Sequence, residues 1–253
     1  MNTNKEFINI IWLKRDLRLN DNEAIFNACN SNKKVLFLYM FEKTLINERH
    51  YSERHWNFVK QSLNDINENL KKYNTKVLVI NSEIISGFNQ IQNFYQVNSV
   101  FSHQETGLLI TYNRDKEFNR YCRNNSIDWI ENSNNGVLRG LLNREDWFEN
   151  WNKYMHQKQF NFQPKKNQFI SIKEIDQISS TFNLTDLTTK KSLVFQKGGT
   201  RTAWKYANSF FLERHKEYMF NISKPEKSRT SSSRISTYLA WGNLSIREVF
   251  QKA

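Results

Sequence analysis

A chain of 253 residues holding seven glycines, two prolines and 14% aromatics is neither disordered nor collagen-like; it can bury one large core or two smaller ones, and it reads as helix-rich. The net charge of +12 is uneven: residues 1–150 carry 19 Lys and Arg against 18 Asp and Glu, residues 151–253 carry 18 against 7. A polyanion is therefore expected to meet the second half, the alternative being a merely solvated basic surface. The two cysteines have no metal spacing and suit a reducing compartment. The opening residues hold no apolar run long enough for a signal peptide or a membrane span, so a cytoplasmic protein without membrane contact is expected.

In chain order, short apolar runs at residues 7–12 (FINIIW), 35–40 (VLFLYM), 76–80 (KVLVI), 99–102 (SVFS) and 127–130 (IDWI) predict five strands. Runs of this kind suit parallel strands covered on both faces. A helix is predicted over residues 52–73, where Trp56, Val59, Leu63, Ile66 and Leu70 recur at helical spacing, and another over 112–124. Strand and helix alternating in this way predict a doubly wound α/β domain with a parallel five-stranded sheet, Rossmann- or flavodoxin-like, over residues 1–131. Turn chemistry at NSNNG (132–136) closes it. A short aromatic helix is predicted near 144–156, and the polar, basic, weakly periodic stretch from 157 to 197 reads as a connection wrapping the surface. After Gly198-Gly199 a helix is predicted over 200–218, followed by helices over 232–241 and from 245 onward.

Three segments carry polar chemistry. WLKRDLRLNDN (12–22) lies where the first strand ends, the ligand edge of such a sheet, but has no glycine-rich phosphate loop. Asp16 among Lys14, Arg15 and Arg18 reads as an ion-pair network that fixes the loop, against a direct ligand role, with Asp21 or Asn22 as the next helix's N-cap. SHQETG (102–107) places His103 and Glu105 after the fourth strand, either for acid–base work or as a polar loop packed on the second domain. In the third segment, Ser232, Ser233, Arg234 and Ser236 offer hydroxyls, backbone N–H groups and a guanidinium to a phosphate; a simple helix cap is the equal alternative.

Together these segments resemble the photolyase/cryptochrome family of flavoproteins. WLKRDLRLNDNEAI is similar to the family's N-terminal signature, GGTRTAWKYANSFFLERHKEY to the helix opening its flavin domain, and SSSRISTYLAWGNLSIRE to its flavin-phosphate segment; ENSNNGVLRGLLNREDWFENWNKYM reads like its inter-domain region. The resemblance runs in order along nearly the whole chain. It implies an α/β domain (1–131), an inter-domain connection (132–197) and the first helices of an all-α FAD-binding domain (198–253).

The resemblance implies FAD as cofactor, held by Tyr218, Ser232, Ser233, Arg234, Ile235 and Ser236. It implies light-driven repair of pyrimidine dimers in DNA, or alternatively a blue-light receptor without repair. An arginine that family members place soon after the tyrosine is absent; Lys224, Lys227 and Arg229 supply DNA-facing charge nearby. No catalytic residue and no metal are expected in this chain. Some members bind a second, antenna chromophore, but the Asn-Glu pair that marks a folate site would fall near Ile110 and Thr111 and is absent, so its identity is open. Family members are longer monomers, so the chain looks like an N-terminal portion. Alone it is expected to hold FAD weakly at most and to show no repair, with Trp204, Phe210, Phe211, Tyr238, Leu239 and Trp241 short of partners.

Overall fold

β1 (Phe7–Trp12) is buried from its second residue onward and sits at the centre of the sheet. The computed structural model describes residues 5–253. β2 (Lys34–Phe41), β3 (Val77–Asn81), β4 (Gln96–His103) and β5 (Asp128–Asn132) complete a sheet of order β3-β2-β1-β4-β5, every pair parallel. This is the strand order of the Rossmann type rather than the flavodoxin type. Alternate side chains of β1 feed two cores. Ile8, Ile10 and Trp12 join Leu36, Ile80, Phe88 and Phe118; Ile11 joins Phe37, Val59 and Leu63 on the other face. The chain leaves β1 toward β2 on one side and meets β4 on the other, so the switch point lies at the carboxyl ends of β1 and β4.

The flanking helices follow from the sequence locally. α1 (Glu23–Asn30) starts where the Asn22 side chain accepts the Ile25 N–H at 3.0 Å, as expected. After a four-residue helix α2 (Lys43–Ile46), α3 (Glu53–Leu70) begins at a capping box of Ser52 and His55 and buries Val59, Leu63, Ile66 and Leu70. α4 (Ile84–Ile91) and α5 (Leu109–Asn124) cover the opposite face, with Phe88 and Phe118 in contact at 4.7 Å between ring centroids. Among the described residues no helix is long and apolar enough to cross a membrane.

The stretch after β5 is more ordered than its periodicity suggests. It contains α6 (Trp147–Met155) and α7 (Ile172–Ser179), the second unpredicted. α7 starts at a capping box of Ser171 and Glu174 and buries Ile175 and Ile178. On either side the backbone pairs with the sheet: Ile170 N–H donates to Val35 O at 3.0 Å, and Asn81 N–H to Asn183 O at 2.7 Å. The segment wraps the domain and is also pinned to it.

The C-terminal helices are shorter than predicted. α8 (Thr200–Leu212) ends before a 3-10 turn, Arg214–Glu217, and α9 (Tyr218–Asn221) follows. Of the helix expected over 232–241 only α11 (Ser236–Ala240) forms; a separate short helix, α10 (Ser228–Ser231), ends before that range, and the serine–arginine segment lies between the two. α12 (Ile246–Lys252) starts at a capping box of Ser245 and Glu248. The expectation that Tyr238 and Trp241 lack partners is overturned. Both are buried in this chain's own core, Tyr238 against Phe58 and Trp241 against Trp56 and Tyr51. Trp204, Phe211 and Leu239 pack partly buried on the same core. The exposed apolar residues are others, among them Leu142, Leu193, Leu212, Met219 and Phe220.

Gly242 makes that docking possible. Its φ is +70°, and a Cβ there would lie 2.2 Å from the Arg15 carbonyl oxygen, so only glycine lets α11 close onto the β1 loop. Across the same contact Leu17 N–H donates to Trp241 O at 3.1 Å and Asn243 Nδ2 to Leu17 O at 2.9 Å.

Candidate functional site

The β1 loop turns sharply at the switch point, and its charges pair across long sequence separations. Asp16 accepts the Lys14 backbone N–H at 2.7 Å and meets His103 Nδ1 at 2.6 Å, both side chains being buried. Lys14 Nζ pairs with Asp115 of α5 at 3.0 Å. The expected network exists, but Asp16's partner is His103, not the basic residues beside it in sequence. Burial opposes ionisation of Asp16, yet the His103 hydrogen bond and charge and the Lys14 N–H outweigh it and hold its pKa below the usual value. His103 and Glu105 do not pair with each other. Glu105 accepts the Gly107 N–H at 2.9 Å and faces Arg114 at 3.6 Å.

Beside this network a narrow cleft with a cavity volume of about 30 Å³ runs between the β1 loop, the end of β2 and the start of α3. Trp12, Tyr39, Trp56 and Trp241 give it aromatic walls, and Arg15 and Glu42 reach it. Glu42 is buried and its pKa is pushed up to about 7, burial outweighing the pull of Arg114 at 2.7 Å. Trp56 Nε1 is a buried donor without a partner among the described residues.

The serine–arginine segment has a different geometry from a capped helix start. Ser232 is the C-cap of α10, and its hydroxyl donates back to Ser228 O at 2.6 Å. Arg234 has a φ of +56°, left-handed, and Ile235 after it is right-handed at φ −92° and ψ −8°. Neighbours of opposite hand curve the backbone so that successive N–H groups converge in an anion-binding nest. Carbonyls of the same turn are taken by side chains. Arg214 donates to Ser232 O and, at 3.3 Å, to Ser233 O, and Gln196 Nε2 donates to Arg234 O at 2.8 Å. The N–H groups of Ser233, Arg234, Ile235 and Ser236 find no acceptor among the described residues. The Ser233 and Ser236 hydroxyls and the Arg234 guanidinium are likewise uncommitted there, the guanidinium lying 5.8 Å from the Tyr206 ring. Ready donors around a concave turn fit a phosphate, so the residues present fit the phosphate end of FAD.

Ser232 to Ser236 are contiguous in space. Tyr218 is half-buried and packs edge-on to Phe210 at 5.9 Å; it shares no hydrogen bond with the serine segment. Lys224, Lys227 and Arg229 are exposed along the turn leading into and through α10. The sequence reading missed Arg214 and Gln196, which set the carbonyls of the nest. Their side-chain types carry no signal of it, since both act on backbone 18 to 38 residues away.

The family model for DNA photolyase matches residues 9–140. A cryptochrome DASH (chloroplastic/mitochondrial) of Solanum lycopersicum is 28% identical over 103 residues, 38% of this chain and 18% of that protein. Among solved structures, the cryptochrome of Synechocystis sp. PCC6803 shares 18% identity at a TM-score of 0.75, over 99% of this chain and 56% of that one. The archaeal photolyase of Sulfolobus tokodaii, solved with two FAD molecules, shares 19% at 0.73, over 96% and 54%. The chain thus spans about half the length of these solved relatives, and at such identities their likeness speaks for the fold. With the family model covering just over half of its residues, the chain belongs to the DNA photolyase family, that of the photolyases and cryptochromes.

Proposed function

We propose that the chain forms the N-terminal portion of a light-driven, FAD-dependent pyrimidine-dimer photolyase, and that the Ser232–Ser236 turn holds the flavin phosphates. The observation that carries this reading is the nest: four consecutive N–H groups without acceptors, curved by a left-handed Arg234. When bound, reduced flavin excited by light supplies the electron that splits the dimer. This chain's own residues bind and orient. Arg234 and the serine hydroxyls neutralise the phosphates, while Arg214 and Gln196 hold the turn that presents them. Exposed Lys224, Lys227 and Arg229, within a half carrying 18 basic against 7 acidic residues, suit DNA phosphates. Binding to dimer-containing DNA then weakens steeply with salt. The switch-point cleft has aromatic walls and, among the described residues, an unpartnered Trp56 Nε1, but at about 30 Å³ it would have to open to admit a second, aromatic chromophore.

Fluorescence titration with FAD tests the flavin assignment. Weak, saturable binding is expected, and Arg234→Ala should reduce it about tenfold or more, the worth of one charge-assisted contact. Absence of binding, or binding indifferent to that substitution, sinks the assignment. A receptor without repair is the second reading, favoured by the cryptochrome names of the curated relatives. Illumination of a flavin-loaded longer form with dimer-containing oligonucleotide separates the two: loss of dimer supports repair, and its persistence supports the receptor.

A further inference from the structure

A second space lies on the β5 side of the β1 loop, walled by the loops after β1, β4 and β5 and by α11. Its cavity volume is about 140 Å³, below that of drug-sized sites but enough for a small polar group and water. The second-chromophore cleft is on the other side of the loop, toward β2; Arg15 borders both.

Two deeply buried polar side chains on this space lack protein partners. His103, 3% exposed, spends Nδ1 on Asp16, which leaves Nε2 without a partner among the described residues. Asn134, 8% exposed, makes no side-chain hydrogen bond among the described residues, and its Oδ1 is fully buried. A fully buried acceptor left unmade costs about 1–3 kcal/mol. Nearby, Lys14 has Asp115, and Asp16 has His103 and the Lys14 N–H, while Asn132 Oδ1, beside His103 in the sheet, is also buried without a hydrogen-bond partner among the described residues. His103 and Asn134 are the two of these groups that border this space.

The charge balance of that wall favours an anion. Arg15 donates Nη2 to the Tyr51 hydroxyl at 2.8 Å but pairs with no carboxylate among the described residues. The bordering carboxylate, Glu105, is occupied by the Thr106 and Gly107 N–H groups at 3.2 and 2.9 Å and by Arg114 at 3.6 Å. The Thr106 hydroxyl and the Gln104 carboxamide make no hydrogen bonds among the described residues and border the same space. Asn134 Oδ1 is the buried end of its carboxamide, and the Nδ2 makes no hydrogen bond among the described residues. Leu239 and Ala240 add a small apolar face.

We propose that this chamber binds a small phosphomonoester, its oxyanion taken by Arg15, Asn134 and Thr106 and one of its hydroxyls donating to His103 Nε2. Behind the ring, Asp16 fixes the orientation and tautomer of His103, as a buried carboxylate does for an imidazole. Arg15 joins the chamber to the cleft, so occupancy of one bears on the guanidinium available to the other.

The test uses the full chain and follows the ring signals of its five histidines by NMR, with His103→Gln to assign His103. Ribose 5-phosphate, inorganic phosphate and acetate are titrated separately at constant ionic strength. A saturable shift of the His103 signal with ribose 5-phosphate is expected, weaker with phosphate and absent with acetate. Asn134→Leu should weaken it about tenfold, one hydrogen bond to a charged group. Thr106→Val, at an exposed position, should weaken it about threefold while leaving the fold intact. Arg234→Ala must leave the shift unchanged, which separates this chamber from the flavin-phosphate turn. No His103 shift with either phosphate, or a shift indifferent to both Asn134→Leu and Thr106→Val, overturns the proposal; equal response to acetate reduces it to a general anion effect and overturns the phosphomonoester assignment.

Discussion

Asp21→Asn should be among the most damaging conservative substitutions in this chain. Asp21 and Arg247 are both buried, with Arg247 Nη2 on Asp21 Oδ1 and Arg247 Nε donating to Oδ2 at 3.1 Å. The Ser245 hydroxyl also reaches Oδ2, and the Phe160 N–H donates to Oδ1 at 3.1 Å. The guanidinium lies 4.8 Å from the Tyr154 ring and 5.1 Å from the Phe160 ring. One carboxylate thus joins the β1 loop, the chain after α6 and the start of α12. Asn keeps the size and tolerates the left-handed φ of +45° at this position, so the change isolates the charge. Removing one partner of a buried ion pair leaves the other uncompensated, a loss of about 3–5 kcal/mol. For a chain of this length each kcal/mol moves the melting temperature by about 2–4 °C, so the midpoint should fall by roughly 6–20 °C.

Arg247→Met should cost a similar amount, and the double variant should recover part of the loss, with a coupling of about 2–3 kcal/mol in the cycle. The pH dependence gives a second reading. Burial opposes ionisation of Asp21, but its bonds from Arg247 and Ser245 outweigh this and lower its pKa below 3.8. A depressed carboxyl stabilises the fold above its unfolded value, and that contribution fades as pH falls through the folded one. Asp21→Asn should therefore remove part of the steepness of acid unfolding. Midpoints from circular dichroism at neutral and acid pH carry the assay. A fall below about 2 °C, or a cycle additive within about 0.5 kcal/mol, would refute the reasoning.

Other substitutions test separate parts of the fold. Gly242→Ala puts a Cβ 2.2 Å from Arg15 O and 2.5 Å from Asp16 Cα at a φ of +70°; strain and overpacking together should cost about 2–6 kcal/mol, and an unchanged melting temperature would count against α11 docking as described. Glu42 is raised from 4.5 to about 7, so its contribution is complete below pH 4.5 and lost as pH rises through about 7; unfolding free energy from denaturant titrations between pH 5 and 8 should fall more steeply in the native chain than in Glu42→Gln, by up to about 3 kcal/mol. Burial pushes the Cys29 and Cys122 thiols up to about 12, and a thiolate-seeking disulfide reagent at pH 8 should label neither until the chain is denatured; rapid labelling of the folded chain would contradict their burial.

The sheet was legible because buried parallel strands are written as unbroken apolar runs, and β1 was read to its ends. α7 was missed because eight residues show little periodicity, although Ser171 and Glu174 at capping-box spacing and Ile172, Ile175 and Ile178 at threes were there to find. Pairings such as Asp16 with His103, 87 residues apart, or Asp21 with Arg247, 226 apart, leave no local trace. Tyr238 of α11 and Trp241 just after it read as partnerless because Phe58, Trp56 and Tyr51 lie far away in sequence.

The serine segment shows most clearly where residue identity stops informing. Its residue types announced an anion site, yet their expected place was the first turn of a helix. The working geometry is a nest, and nests depend on backbone handedness, which at position 234 runs against what an arginine prefers. A left-handed non-glycine residue costs on the order of 1–3 kcal/mol, and glycine would remove that cost at position 234. An arginine retained there, with Arg214 and Gln196 committed to neighbouring carbonyls, is best understood if the guanidinium and the converging N–H groups serve one ligand. Arg234→Gly separates the two contributions: it should stabilise the fold by relieving strain while weakening FAD binding through loss of the guanidinium. A variant that gained no stability would show that the turn holds its shape without strain, and would remove this argument for the phosphate site.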